Sequence, residues 1–138
     1  MVNASDSRMI KDQVLAEKVY FVNRALLKQY ADASGDQNPI HQDEAFAKSV
    51  GLPDVIAHGM LTMALVGKYV SEIAGGSANV LELGGRFTKP VIVPADIDVD
   101  LTVTATVTEV ADGKVLLSLT ATSADVKVLG MAKAVIKL

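Results

Sequence analysis

The chain has 138 residues, half of them hydrophobic and 21% charged, with a net charge of −3. That is enough apolar material for one domain with a substantial core, and the absence of cysteine excludes a disulfide framework, thiol catalysis and thiolate metal sites. A mildly acidic chain with three Phe, three Tyr and no Trp gives no reason to expect a nucleic-acid partner. No stretch carries the roughly 18 uninterrupted apolar residues of a membrane span, and Met1 to Asp12 is polar without a signal-peptide core, so the chain is read as cytoplasmic.

Met1 to about Lys18 reads as a polar lead-in. Val19 to Val22 suits a short strand, and Asn23 is placed to cap a helix from Arg24 to about Ala33, with Leu26, Leu27, Tyr30 and Ala31 near one face. Ser34-Gly35 ends that helix. A short helix follows His41, with Asp43 and Glu44 where acids suit the helix dipole, and Gly51-Leu52-Pro53 breaks it. The next helix starts at His58-Gly59 and runs to about Ala74, with Gly75-Gly76-Ser77 as its exit. Residues 60 to 66 are apolar except for Thr62, which predicts a helix surrounded on all sides.

From Asn79 the pattern changes to period two. Leu81, Leu83 and Phe87 are expected to share a strand face. Ile97, Val99, Leu101, Val103, Ala105 and Val107 alternate with Asp and Thr as a half-buried strand. Asp112-Gly113 signals a hairpin turn, and Val115, Leu117, Leu119 and Ala121 line the return strand. A last strand from about Val126 to Ile136 contains Gly130, a candidate bulge. Helices followed by consecutive antiparallel strands, without a repeat or linker, predict a single α+β domain over residues 1–138.

Two motifs carry chemistry. In Ser34-Gly35-Asp36-Gln37-Asn38-Pro39-Ile40-His41, a rigid turn keeps an aspartate and one of the chain's two histidines close together. Such a pair can hold and deprotonate a water, although the same residues also make an ordinary polar turn. At the second histidine, Gly59 falls in the first turn of the apolar helix, where a backbone N–H has no intrahelical acceptor and suits a developing oxyanion. Taken alone, Gly59 reads more simply as a small residue at a crowded helix–sheet contact.

Taken together, the octapeptide and the His58-Gly59-Met60-Leu61 helix start resemble the MaoC-like hydratases and dehydratases, and Arg86-Phe87-Thr88-Lys89-Pro90-Val91 with Val93-Pro94-Ala95-Asp96 extends the resemblance. It covers roughly residues 19 to 138. The spacing is similar to that of stand-alone dehydratase subunits of actinobacterial fatty-acid elongation and of (R)-specific enoyl-CoA hydratases. The resemblance implies a hot-dog fold, an antiparallel sheet wrapped round one long helix. It also implies reversible hydration of trans-2-enoyl thioesters of CoA or acyl carrier protein, with no cofactor. Asp36 and His41 would move the protons and the Gly59 N–H would polarise the thioester carbonyl. The working unit would be a homodimer or a heterodimer with a related hot-dog subunit.

His58 is the second candidate base, but its position matches the His of that family's helix-start motif and is read as structural. Asn38 is assigned to shaping the turn, and a metal held by His41 and His58 lacks an evident third ligand. Some (R)-hydratases carry a serine where this chain has Gly67, which alters the surroundings of the water. Two other functions compete. A hot-dog thioesterase would place its carboxylate on the central helix, where Glu72 is the only acid and lies near the far end. A non-catalytic acyl-binding partner subunit would lack the Asp36–His41 pair.

Overall fold

A computed structural model describes residues 9–137. Strand β1 (Lys18–Val22) leads into helix α1 (Arg24–Ser34), helix α2 (Glu44–Ser49) and helix α3 (Gly59–Ala74). Strands β2 (Val80–Phe87), β3 (Val99–Ala111), β4 (Lys114–Ser123), β5 (Val126–Lys127) and β6 (Leu129–Lys137) follow. The antiparallel sheet runs β1-β3-β4-β6-β2, with the two-residue β5 paired to β4.

Local chemistry sets the helix ends. The Asn23 side chain accepts from the Leu26 N–H at 2.8 Å, and Gly35 closes α1 with φ 82°, its N–H returning to the Ala31 carbonyl. Asp43 caps α2 through the Phe46 N–H. The sheet is built on the expected alternation: Leu101, Val103, Ala105 and Val107 are buried opposite Ala121, Leu119 and Leu117. The hairpin turn has φ 55° at Asp112 and 74° at Gly113, the two positive values that a tight hairpin turn of this hand requires. Against this inner face lie Val66, Tyr69, Val70 and Ile73 of α3, each 0% exposed. A long helix held by one antiparallel sheet is the hot-dog arrangement.

Several sequence expectations are corrected. Of the polar lead-in, residues 1–8 lie outside the described residues, but Met9 and Leu15 are core residues. The Asp12 and Leu15 N–H groups bond the Val107 and Ala105 carbonyls, so this segment prolongs the β1 edge along β3. Helix α3 is not enclosed on every side, because the sheet covers only part of its circumference. Met60, Ala64, Lys68 and Glu72, spaced four apart, form an open stripe.

Leu81, Leu83 and Phe87 do not share a face. The β2–β6 pairing shifts register between Val80 and Glu82 and again between Gly84 and Arg86, and each shift turns later side chains over. Leu81 and Phe87 are exposed while Leu83 packs against the core. Ile97 lies outside β3 and is exposed, since Asp96 with φ 63° turns the chain before the strand begins. The irregularity assigned to Gly130 falls one residue later, at Met131 with φ 50°. Gly130 is needed for space instead: a Cβ there would lie 2.8 Å from the Thr88 methyl group.

Candidate functional site

The chain between α1 and α2 is organised by its own side chains. Ser34 Oγ accepts from the Asp36 N–H, Asp36 Oδ1 from the Asn38 N–H, and Asn38 Oδ1 from the Ile40 N–H, each at 3.2 Å. Pro39–His41 then forms a single 3-10 turn. Asn38 therefore acts on the backbone, as expected, and the turn delivers Asp36 to the surface and His41 to a buried position.

A second segment meets this turn from residues 54 to 58. The Ile56 N–H donates to the Ile40 carbonyl at 3.2 Å, and His41 Nδ1–H donates to the Ile56 carbonyl at 2.7 Å. A carbonyl can only accept, so the proton sits on Nδ1 in neutral His41 and Nε2 keeps its lone pair. Nε2 has no protein partner among the described residues. The segment is fixed in turn by Val55 and Ala57, which bond Val93 and Val91. Arg24 ties the corner, its Nε donating to the Val93 carbonyl at 2.6 Å and a terminal nitrogen pairing with Asp54 at 2.8 Å.

The same segment ends at His58, the N-cap of α3. The Leu61 and Thr62 N–H groups bond the His58 carbonyl, which leaves the Gly59 N–H at the positive end of the helix without an intrahelical acceptor. His41 and Gly59 line one cleft of about 340 Å³, together with Ile56, Thr62, Phe87 and Lys89. A carboxylate oxygen of Asp36 and one ring nitrogen each of His41 and His58 lie within 4.8 Å of one another, a span that one bridging water closes. The fold thus sets Asp36 beside His41, and His41 on one cleft with Gly59, from two segments. A larger open groove of about 720 Å³ at the ends of β3 and β4 shares Lys89 and Pro90 with this cleft but contains neither histidine. Its charged lining consists of Lys89 and the acids Asp98, Asp100 and Asp125.

Sequence reasoning missed three features. His58 packs its ring on His41, with centroids 3.8 Å apart and planes 24° from parallel, a contact created only when residue 58 returns to residue 41. The crowding expected at Gly59 comes from Phe87, which periodicity places only on a strand face: its ring closes over the helix start, where a Cβ on Gly59 would lie 3.1 Å away. Asp36 is also the third potential metal ligand that the sequence did not suggest. Any ion there would have to take the two remaining ring nitrogens, because His41 Nδ1–H and His58 Nε2–H donate to the Ile56 and Asp36 carbonyls at 2.7 and 3.1 Å.

Burial holds the His58 imidazole below its ordinary value of 6.5, and the bond to the Asp36 carbonyl acts in the opposite direction. The folded chain therefore binds its proton less tightly than the unfolded one, and stability is lost as pH falls through the ordinary imidazole value. Denaturant melts across that window should show a steeper acid loss for the wild type than for His58→Gln. Parallel curves would remove His58 from the acid response.

Comparison with known proteins returns a consistent set. The family model described as MaoC like domain matches residues 5–125. The 3-hydroxyacyl-thioester dehydratase X of Mycobacterium tuberculosis is 40% identical over 74 residues, 54% of this chain and 25% of that protein. Dehydratase Y of the same organism is 46% identical over 61 residues, 42% of this chain and 21% of that protein. The matched region thus spans about a quarter or less of these curated relatives. Among solved structures, a MaoC-like dehydratase superposes with a TM-score of 0.92 at 32% identity, covering 99% of this chain and 42% of that one. The R-hydratase PhaJ1 of Pseudomonas aeruginosa gives 0.82 at 28% identity, covering 99% and 84%.

Proposed function

The chain belongs to the MaoC-like domain family, and on that premise we propose that it adds water reversibly across the trans-2 double bond of an enoyl thioester. The product is an (R)-3-hydroxyacyl thioester, and the acyl group is carried by CoA or acyl carrier protein. The observation that carries this reading is that His41 and the first-turn N–H of Gly59 share one cleft, with the Asp36 carboxylate within 4.8 Å of a His41 ring nitrogen.

The chemistry follows from that arrangement. A water held between Asp36 and His41 attacks C3, its O–H bond breaking as the C3–O bond forms. The π electrons of the double bond move toward C2 and the thioester carbonyl, whose oxygen gains negative charge opposite the Gly59 N–H. The proton taken from the water is returned to C2, so the pair ends the turnover in the state in which it began. His41 Nε2, with Nδ1 committed to Ile56, is the nitrogen able to take that proton. General acid–base help is worth about 10²–10⁴-fold and one oxyanion donor about 10²–10³-fold. No step needs a metal, a nucleotide or a covalent nucleophile.

The thioesterase alternative is weakened by geometry. Glu72, the only acid on α3, lies about 20 Å along the axis from Gly59 at 1.5 Å per residue and is paired with Lys18 at 2.7 Å. Crotonyl-CoA separates the readings when enoyl absorbance and free thiol are followed together. Loss of the double bond without thiol release supports hydration. Thiol release supports a thioesterase, and silence on CoA and carrier-protein substrates alike supports a non-catalytic subunit.

We also infer that the working unit contains a second hot-dog subunit, either another copy or a related chain. The open stripe on α3 and the edge strand β2, with Leu81 45% and Phe87 54% exposed, are the surfaces such a subunit would cover. Light scattering on the purified chain should give at least a dimer. A stable and fully active monomer would contradict this inference, and an inactive dimer would indicate a missing related subunit.

A further inference from the structure

We propose that His58 is a positioning residue for the hydration site, its Nε2–H pinning the main chain at Asp36. The inference rests on the hydration reading and goes beyond it by assigning a task to a residue that takes no part in the proton transfers. One residue touches all three candidate groups. Its ring nitrogen holds the Asp36 carbonyl at 3.1 Å, and its face stacks on His41 at 3.8 Å. Its own carbonyl starts the helix that presents the adjacent Gly59 N–H.

Packing alone does not explain a histidine here. His58 is 2% exposed, and its Nδ1 is buried with no hydrogen-bond partner among the described residues. An unpaired buried acceptor disfavours folding, and a phenylalanine would fill the same space without it. Tyr30, tilted 59° at 4.8 Å, also borders the ring, so the site could have been closed by aromatic contacts only. What phenylalanine lacks is the Nε2–H that fixes Asp36. Displacing that carboxylate relative to His41 would misplace the water, and a shift of about 1 Å costs about 10²-fold in rate.

Two variants separate the roles. His58→Phe keeps a stacking ring and loses the donor, whereas His58→Gln sets an amide N–H near the place of Nε2 and loses the ring. Packing alone ranks Phe above Gln in both melting temperature and kcat. The proposed role ranks Gln above Phe in kcat, with His58→Phe slowed about ten- to a hundredfold and KM changing little. Phe equal to or faster than Gln, or a loss confined to KM, overturns it. A second readout needs no turnover. The chain has only two histidines, so nitrogen–proton NMR of the imidazoles resolves each one. His58 should carry its proton on Nε2, and a proton on Nδ1 overturns the proposal. A wild-type protein that does not hydrate any enoyl thioester would sink the hydration reading, while the tautomer would still decide the placement of Asp36.

Discussion

Asp36→Asn and His41→Asn should each lower the hydration rate on the best enoyl thioester by about 10²-fold or more. The double variant should be little slower than the worse single one, because the two groups act on one water as a unit. His41→Asn is preferable to His41→Ala for a physical reason. His41 is 7% exposed, stacked on His58 and bonded to the Ile56 carbonyl. Truncation to alanine would leave a void and an unpaired carbonyl, whereas an asparagine amide can still reach Ile56. Asp36 is exposed and, among the described residues, its carboxylate accepts only from the Asn38 N–H at 3.2 Å, so Asp36→Asn should melt close to the wild type. Near-full activity in either variant would remove that residue from the chemistry. Strictly additive losses would mean that the two groups act at separate steps.

Gly59→Pro should lower kcat by about 10²–10³-fold, because it deletes the N–H assigned to the thioester oxygen. Proline is tolerated in a first helical turn, and His58 ahead of it already has ψ 133°, the extended conformation that a following proline favours. The closeness of Phe87 calls for a control, since any Cβ at this position meets the ring at 3.1–3.2 Å. Gly59→Ala adds the same crowding and keeps the N–H. An approach of 3.1–3.2 Å asks the ring to give by only a few tenths of an ångström, so the alanine variant should retain much more activity than the proline variant. Equal losses in both, measured by turnover alongside melting, would assign Gly59 to packing.

Where local chemistry decides structure, the sequence was legible. Asn23, Gly35 and Asp112-Gly113 each impose a backbone geometry within a few residues, and all three behave as their side chains dictate. The alternation from Leu101 to Val107 and from Val115 to Ala121 needs only one inward face, and it too was readable. The turn from Ser34 to His41 was legible because its hydrogen bonds run between residues two apart.

Reading failed where partners lie far apart along the chain. A register shift depends on the facing strand, so the displacement of Leu81 from the face of Leu83 left no trace in the periodicity of β2 alone. The stack of His58 on His41 joins residues 17 apart through the Ile56 segment, and Phe87 reaches Gly59 only through the sheet. The open stripe of α3 was hidden for a different reason. An apolar helix looks the same whether its last face is covered by its own sheet or by another subunit.

The account rests on a water that Asp36 and His41 deliver to C3, and the product itself tests it most directly. Crotonyl-CoA, or the matching carrier-protein thioester, incubated with the protein in ¹⁸O-water should give the (R)-3-hydroxybutyryl thioester with the label on the C3 hydroxyl and the thioester bond intact. Loss of that product in Asp36→Asn would tie the label to the pair. Labelled free crotonate with released thiol, or the (S)-hydroxy product, would contradict it.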